Sequence, residues 1–120
     1  MKPHLRPAIS FIAGRLISNK LATSIYDYSS SKYLNFDFTK QSQGFSAYDY
    51  TRKCHISISL NGCDASIYDY SERKYIDLKV DGEKFSGYDY GNSEHFSGTV
   101  NSESISLYDN ETSKHYSYSL

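Results

Sequence analysis

The sequence predicts a mainly β protein. Five hairpin repeats of about 20 residues make a ten-stranded antiparallel up-and-down meander, closed as a barrel with one N-terminal helix inside or plugging it. Three observations carry this expectation. Tyr-Asp-Tyr stands at 26–28, 48–50, 68–70 and 88–90, and Tyr108-Asp109-Asn110 adds a fifth copy, at spacings of 22, 20, 20 and 20. A fixed period in this range marks a repeat architecture. After each Tyr-Asp comes a polar break and then strict apolar–polar alternation, the pattern of a half-buried strand. The segment ahead of the repeats has helical spacing instead.

That segment, residues 1–22, carries Ile9, Phe11, Ile12, Ala13, Leu16, Ile17 and Leu21, and an amphipathic helix is expected over about 7–21 with Pro7 in its first turn. The five-repeat meander follows over 23–120, and the two form a single domain. The first strand of each repeat ends in the Tyr-Asp unit. The second sets Leu34, Phe36 and Phe38 on one face, and likewise Ile56, Ile58 and Leu60, then Ile76, Leu78 and Val80. Phe96, Gly98 and Val100 follow, then Tyr116, Tyr118 and Leu120. Asn61-Gly62 and Asp81-Gly82 are preferred two-residue hairpin pairs, with positive φ expected at both residues of each. Closing the hairpins on them sets Ile58 opposite Ala65, Ile56 opposite Ile67, Leu78 opposite Phe85 and Ile76 opposite Gly87. The Tyr pairs then point outward, and each Asp lands on the core side at the strand end.

An open layer of ten strands would leave a wide apolar face and two bare edges. Closure removes both, and an even strand count lets the first and last strands pair antiparallel. The small inward residues Ala47, Ala65, Gly87 and Gly98 are expected to ease the fit of the helix. The alternative architecture is an open, strongly bent single sheet with the helix on its concave face.

Composition narrows the functional classes. Of 120 residues, 13 are Tyr and none Trp, and the net charge of −1 conceals a basic first half and an acidic second half. Residues 1–60 hold eight Lys/Arg against three Asp/Glu (+5), and 61–120 hold five against eleven (−6). Cys54 and Cys63 do not make a disulfide framework and fit a reducing compartment. The apolar run Ala8–Gly14 resembles a secretion signal but is cut short by Arg15, so a cytoplasmic location is expected.

Two columns invite a metal or catalytic reading. Asp27, Asp49, Asp69, Asp89 and Asp109 share one rim, but equivalent positions lie two strands, about 9–10 Å, apart. Calcium needs oxygens within about 2.3–2.6 Å. The column is therefore expected to be structural, complementing the helix dipole, pairing with Lys2, His4 or Arg6, or accepting hydrogen bonds from the adjacent turn. His55, His95 and His115 fall in one outward column with Tyr33 and Tyr75, expected opposite Tyr50, Tyr90 and Asn110, and read as cross-strand aromatic pairing. No phosphate loop, His-Glu-x-x-His or nucleophile elbow is present, and Cys54 and His55 point to opposite faces. No enzyme, cofactor or metal is expected.

The outward tyrosines carry the functional expectation. Tyr26, Tyr28, Tyr48, Tyr50, Tyr68, Tyr70, Tyr88 and Tyr90, with His55 and His95, form an aromatic girdle suited to binding a partner, protein or carbohydrate. The charge argues against nucleic acid, and the polar outer wall against a membrane. The alternative is a structural or self-assembling protein that associates through its oppositely charged halves. A monomer or a weak homo-oligomer is expected.

The period and the Tyr-Asp pair resemble the tyrosine-aspartate repeats of large bacterial toxin shells and their animal relatives, whose hairpins spiral into a hollow casing. The likeness spans 23–120 and rests on two residues per unit. It departs at the turns, which read Ser-Ser-Ser-Lys, Thr-Arg-Lys-Cys and Ser-Glu-Arg-Lys where those repeats place Gly-Arg.

Overall fold

In the computed structural model, which describes residues 1–120, all ten strands join one closed sheet. The helix α1 (Leu5–Ser18) is followed by β1 (Ser24–Asp27), β2 (Lys32–Gln41), β3 (Gly44–Asp49), β4 (Cys54–Asn61) and β5 (Asp64–Asp69). Then come β6 (Lys74–Asp81), β7 (Lys84–Asp89), β8 (Glu94–Asn101), β9 (Ser104–Asp109) and β10 (Lys114–Ser119). Consecutive strands pair antiparallel, and β1 closes on β10 through Tyr26↔Ser119 and Asp27↔Tyr118. The barrel is closed, so the bent open sheet does not form. No helix is long and apolar enough to cross a membrane.

Alternation places the core as expected: Phe36, Ile56, Ile58, Ile67, Ile76, Leu78, Phe96, Val100 and Leu107 are all buried. The register differs by two residues from the one expected of Asn61-Gly62 and Asp81-Gly82. Ile58 pairs with Ile67, Leu60 with Ala65, Leu78 with Gly87 and Val80 with Phe85. The turn residues are Gly62-Cys63 and Gly82-Glu83, because Asn61 pairs with Asp64 and Asp81 with Lys84. Only the first central residue takes positive φ, 64° at Gly62, 62° at Gly82 and 57° at Ser102. That is the demand of a II′ hairpin, which places its glycine first. A shift of two preserves which face each side chain takes, so the inward and outward sets survive.

At the opposite rim every Asp ends its strand and begins a four-residue loop. Its Oδ1 accepts the N–H two residues on, from Ser29, Thr51, Ser71, Gly91 and Glu111, at 2.9–3.0 Å. The loop's last residue is left-handed: Ser31, Lys53, Arg73, Ser93 and Ser113 have φ of 54–56°. This is the Asx-turn use of aspartate.

The helix runs inside the barrel from the Asp rim to the hairpin rim. Leu5 to Gly14 are all buried, Arg6 and Ser10 included. The amphipathic spacing therefore meets burial on every side, as befits a helix enclosed by a sheet. Phe11 stacks on Phe36 at 4.6 Å and meets Phe38 edge-on at 5.9 Å. Asn19, left-handed at φ 58°, ends the helix. Gly87 and Gly98 do not serve the helix as expected. Each faces a phenyl ring across the ladder, Gly87 with Phe96 and Gly98 with Phe85, and the rings fill the space their missing side chains leave.

Candidate binding surface

The Asp column lies within the barrel mouth, with every member at most 7 % exposed. Three of the five meet a cation, Asp49 and Asp69 through Arg52 and Asp109 through the Met1 ammonium at 3.4 Å and Arg6, while Asp27 and Asp89 meet none and Asp89 Oδ2 is buried without a hydrogen-bond partner. Arg52 binds Asp49 and Asp69, with 2.7 Å from Nε to Asp49 Oδ2 and 3.1 and 2.7 Å to the two Asp69 oxygens. Burial opposes the Arg52 charge, but the hydrogen bonds to Asp69 and Asp49 outweigh it and raise its pKa above the ordinary guanidinium value. Arg6 approaches Asp109 at 3.6 Å and lies over the Tyr116 ring at 4.0 Å. Lys2 and His4 turn instead to Glu72, at 2.6 and 2.7 Å. The hydrogen bond from Lys2, then that from His4, holds the Glu72 carboxyl below the usual range. Of the three partners expected for the column, only Arg6 reaches it, and Lys2 and His4 do not.

The histidine column is outward and its members sit apart, each against its own tyrosine. The partners differ from those expected: His55 pairs with Tyr48, His95 with Tyr88 and His115 with Tyr108. Tyr50, Tyr90 and Asn110 belong to the loop beyond the strand, which is why they cannot be the ladder partners. Cys54 turns away from His55, and burial raises its thiol pKa.

The outward tyrosines gather into repeated clusters. Tyr26, Tyr48, Tyr68 and Tyr88 each stand half-buried between a loop tyrosine of the same repeat and an aromatic ring across the ladder. Tyr48 lies 5.0 Å from Tyr50 and 4.9 Å from His55, and Tyr68 lies 4.9 Å from Tyr70 and 4.8 Å from Tyr75. The arrangement recurs at Tyr26–Tyr28–Tyr33 and Tyr88–Tyr90–His95. In the fifth repeat Asn110 replaces the loop tyrosine, leaving only Tyr108–His115. The loop tyrosines are the outer faces, at 59, 49, 56 and 52 % exposure for Tyr28, Tyr50, Tyr70 and Tyr90. Tyr50 donates its hydroxyl to Asp37 at 2.5 Å and Tyr90 to Asp77 at 2.8 Å, and each hydrogen bond raises the phenol's pKa.

Below the clusters runs a row of short hydroxyl side chains that sequence reasoning left unused. Ser46 faces Ser57, Ser59 faces Ser66, Ser86 faces Ser97 and Ser106 faces Ser117. Because serine is short, the wall is recessed there. Depressions of about 820 and 470 Å³ adjoin at Lys79, Ser86 and Ser97 and make one trough. The signal for it was visible: Ser24, Ser46, Ser66, Ser86 and Ser106 stand two residues before the first tyrosine of every repeat. No protein-family model, no curated protein and no solved structure matches the chain.

Proposed function

We propose that this protein is a non-enzymatic binding protein that presents its tyrosine girdle to a partner, protein or carbohydrate. One observation carries the reading: on the first strand of each repeat, the outward positions are more uniform than the inward ones. The inward positions beside the tyrosine vary as Ile25, Ala47, Ile67, Gly87 and Leu107, and as Thr23, Phe45, Ala65, Phe85 and Ile105. The outward Ser and Tyr between them never change. The aspartate is also constant, and its turn explains it. Core packing makes no demand on an outward serine, so a surface requirement accounts for its constancy better than folding does. The free thiols Cys54 and Cys63 favour a reducing, cytoplasmic setting.

The test is a Tyr48→Ser, Tyr68→Ser, Tyr88→Ser variant used in affinity capture beside the parent protein. With the barrel's circular dichroism retained, loss of the captured partner is the expected result. Equal capture by both would refute the girdle.

Self-assembly through the oppositely charged halves, residues 1–60 at +5 and 61–120 at −6, is the second reading, and a step in the wall adds an open edge to it. β1 covers β2 from Lys32 to Asn35, with one further bond from the Phe36 N–H to the Thr23 carbonyl, so β2 beyond Phe36 pairs on one side alone. Unpaired strand edges associate. An oligomer that dissociates with salt would favour this reading over the first.

A further inference from the structure

We propose that the trough beneath the girdle binds a neutral oligosaccharide laid across the strands; this rests on the girdle reading and names its ligand. The floor carries the hydroxyls of Ser66, Ser86, Ser97 and Ser106, with Asp77 and Lys79 of β6 between Ser66 and Ser86, and each hydroxyl both donates and accepts, as the hydroxyls of a sugar do. The upper wall is aromatic, with Tyr88 and His95 above one stretch and Tyr108 and His115 above the next. Sugar rings offer C–H faces to such walls and hydroxyl edges to such floors.

Charge argues for a neutral ligand. The trough is lined by Asp64, Asp77 and Asp81 against Lys79 and Lys84: Asp64 pairs with Lys79 and Asp81 with Lys84 across the ladder, which leaves Asp77, whose carboxylate accepts the Tyr90 hydroxyl. With a net −1 the trough is close to neutral, and an anionic polymer finds no attraction along it.

Geometry argues against a peptide. A peptide that joins a sheet needs a free edge for its backbone. The trough crosses β4 to β9, each paired with both neighbours, and touches β10 only at His115, beyond the Tyr118–Ser119 stretch that β1 covers. A peptide held by side chains needs a deep apolar pocket for an anchor, whereas the floor here is polar. An extended glycan needs neither. Its polar edges repeat along its length, and the aromatic clusters repeat every second strand, about 9.5 Å apart. That interval is close to the length of a disaccharide unit, so alternate rings meet successive clusters.

The test titrates the full chain with hexasaccharides of β-1,4-glucose, β-1,4-N-acetylglucosamine and α-1,4-glucose, followed by amide chemical shifts. At least one should bind with a Kd of about 1 mM or tighter and move the amides of Ser66, Ser86 and Ser97. A Ser86→Gln, Ser97→Gln variant fills the floor with exposed side chains that the core does not touch. It should keep the parent melting temperature and weaken binding at least about tenfold, or about 1.4 kcal/mol. No binding by any of the three sugars overturns the proposal, and so does binding that the filled floor leaves unchanged. If the sugars fail while the tyrosine variant still loses a captured protein, the girdle stands and the ligand class is wrong. If that variant loses nothing as well, both readings fall.

Discussion

Arg52 locks two repeats together by binding Asp69 with both terminal nitrogens, at 3.1 and 2.7 Å, while its Nε holds Asp49 of its own repeat. The guanidinium is 10 % exposed and the two carboxylates 3 and 1 %. No other repeat repeats the device. The residue three places after the Asp is Ser30, Glu72, Asn92 or Thr112 elsewhere. Methyl-bearing replacements can fill the volume of Arg52 but not its charge, so two buried carboxylates would stand without a cation.

Arg52→Met is therefore expected to lower stability by about 3 kcal/mol, the usual loss when one partner of a buried ion pair is removed. Denaturant unfolding measures it. Adding Asp69→Asn to Arg52→Met should recover part of the loss, since one stranded charge is gone. A single variant as stable as the parent would show that the pair contributes nothing net.

How much of this was legible beforehand depended on what the feature rests on. Strand number, facing and closure follow from hydrophobic period and edge avoidance, both written in the order of residues. The hairpin register was not legible from Asn61-Gly62. Either residue can begin a two-residue turn, and only the φ of 64° at Gly62, with none positive at Asn61, decides between them. The same four-residue loop moved Tyr50 and Tyr90 off the ladder and changed the partners of His55 and His95. Arg52 was hidden for another reason: the two-strand gap between Asp49 and Asp69 follows from strand spacing, but nothing in the order of residues says that the loop turns the Arg52 side chain across it. The serine row was present in the repeat alignment, yet a serine on a strand becomes a trough floor only beside bulky neighbours.

Gly87 and Gly98 should resist substitution despite lying in strand interiors. A methyl group at Gly87 would stand 2.4 Å from Phe96 Cζ and 2.0 Å from the Asp77 carbonyl oxygen. At Gly98 it would stand 2.3 Å from both Phe85 Cζ and the Ser106 oxygen. The ring can swing away but the backbone cannot. Gly87→Ala is expected to lose about 1–3 kcal/mol, the range for overpacking. Trimming the ring as well, with Phe96→Leu, should not restore stability, because the carbonyl clash persists. Recovery on trimming would show that the ring alone enforces the glycine.

The left-handed loop ends offer the reverse change. Ser93 holds φ at 54° with a side chain that disfavours it, and it is exposed. Such a conformation carries a penalty of roughly 1–2 kcal/mol for a residue with Cβ. Glycine escapes it but gains freedom in the unfolded chain, so Ser93→Gly should stabilise by about 0.5–1 kcal/mol net. Ser93→Val should destabilise, as branching worsens the fit. Thermal melts of the two variants ought to move in opposite directions from the parent. Shifts of the same sign would mean the loop relaxes to another conformation.

High pH should open the barrel at its seam. Tyr118 sits on β10 beside Asp27 of β1, 2 % exposed, and burial first, then the Asp27 charge, raises its pKa above the ordinary phenol value. Unfolded, the same phenol ionises near pH 10. A group whose folded pKa is raised holds its proton more tightly in the native state. Its contribution is therefore complete below about pH 10 and declines as pH climbs from there toward the folded value. Tyr50 and Tyr90, raised by their hydrogen bonds to Asp37 and Asp77, add to the same slope. Unfolding free energy measured by denaturant at rising pH should thus fall above about pH 10. It should fall less steeply in Tyr118→Phe, which has no buried phenol to ionise. Parallel slopes for the two proteins would place the alkaline sensitivity elsewhere, and the β1–β10 seam would not be the first part of the wall to yield.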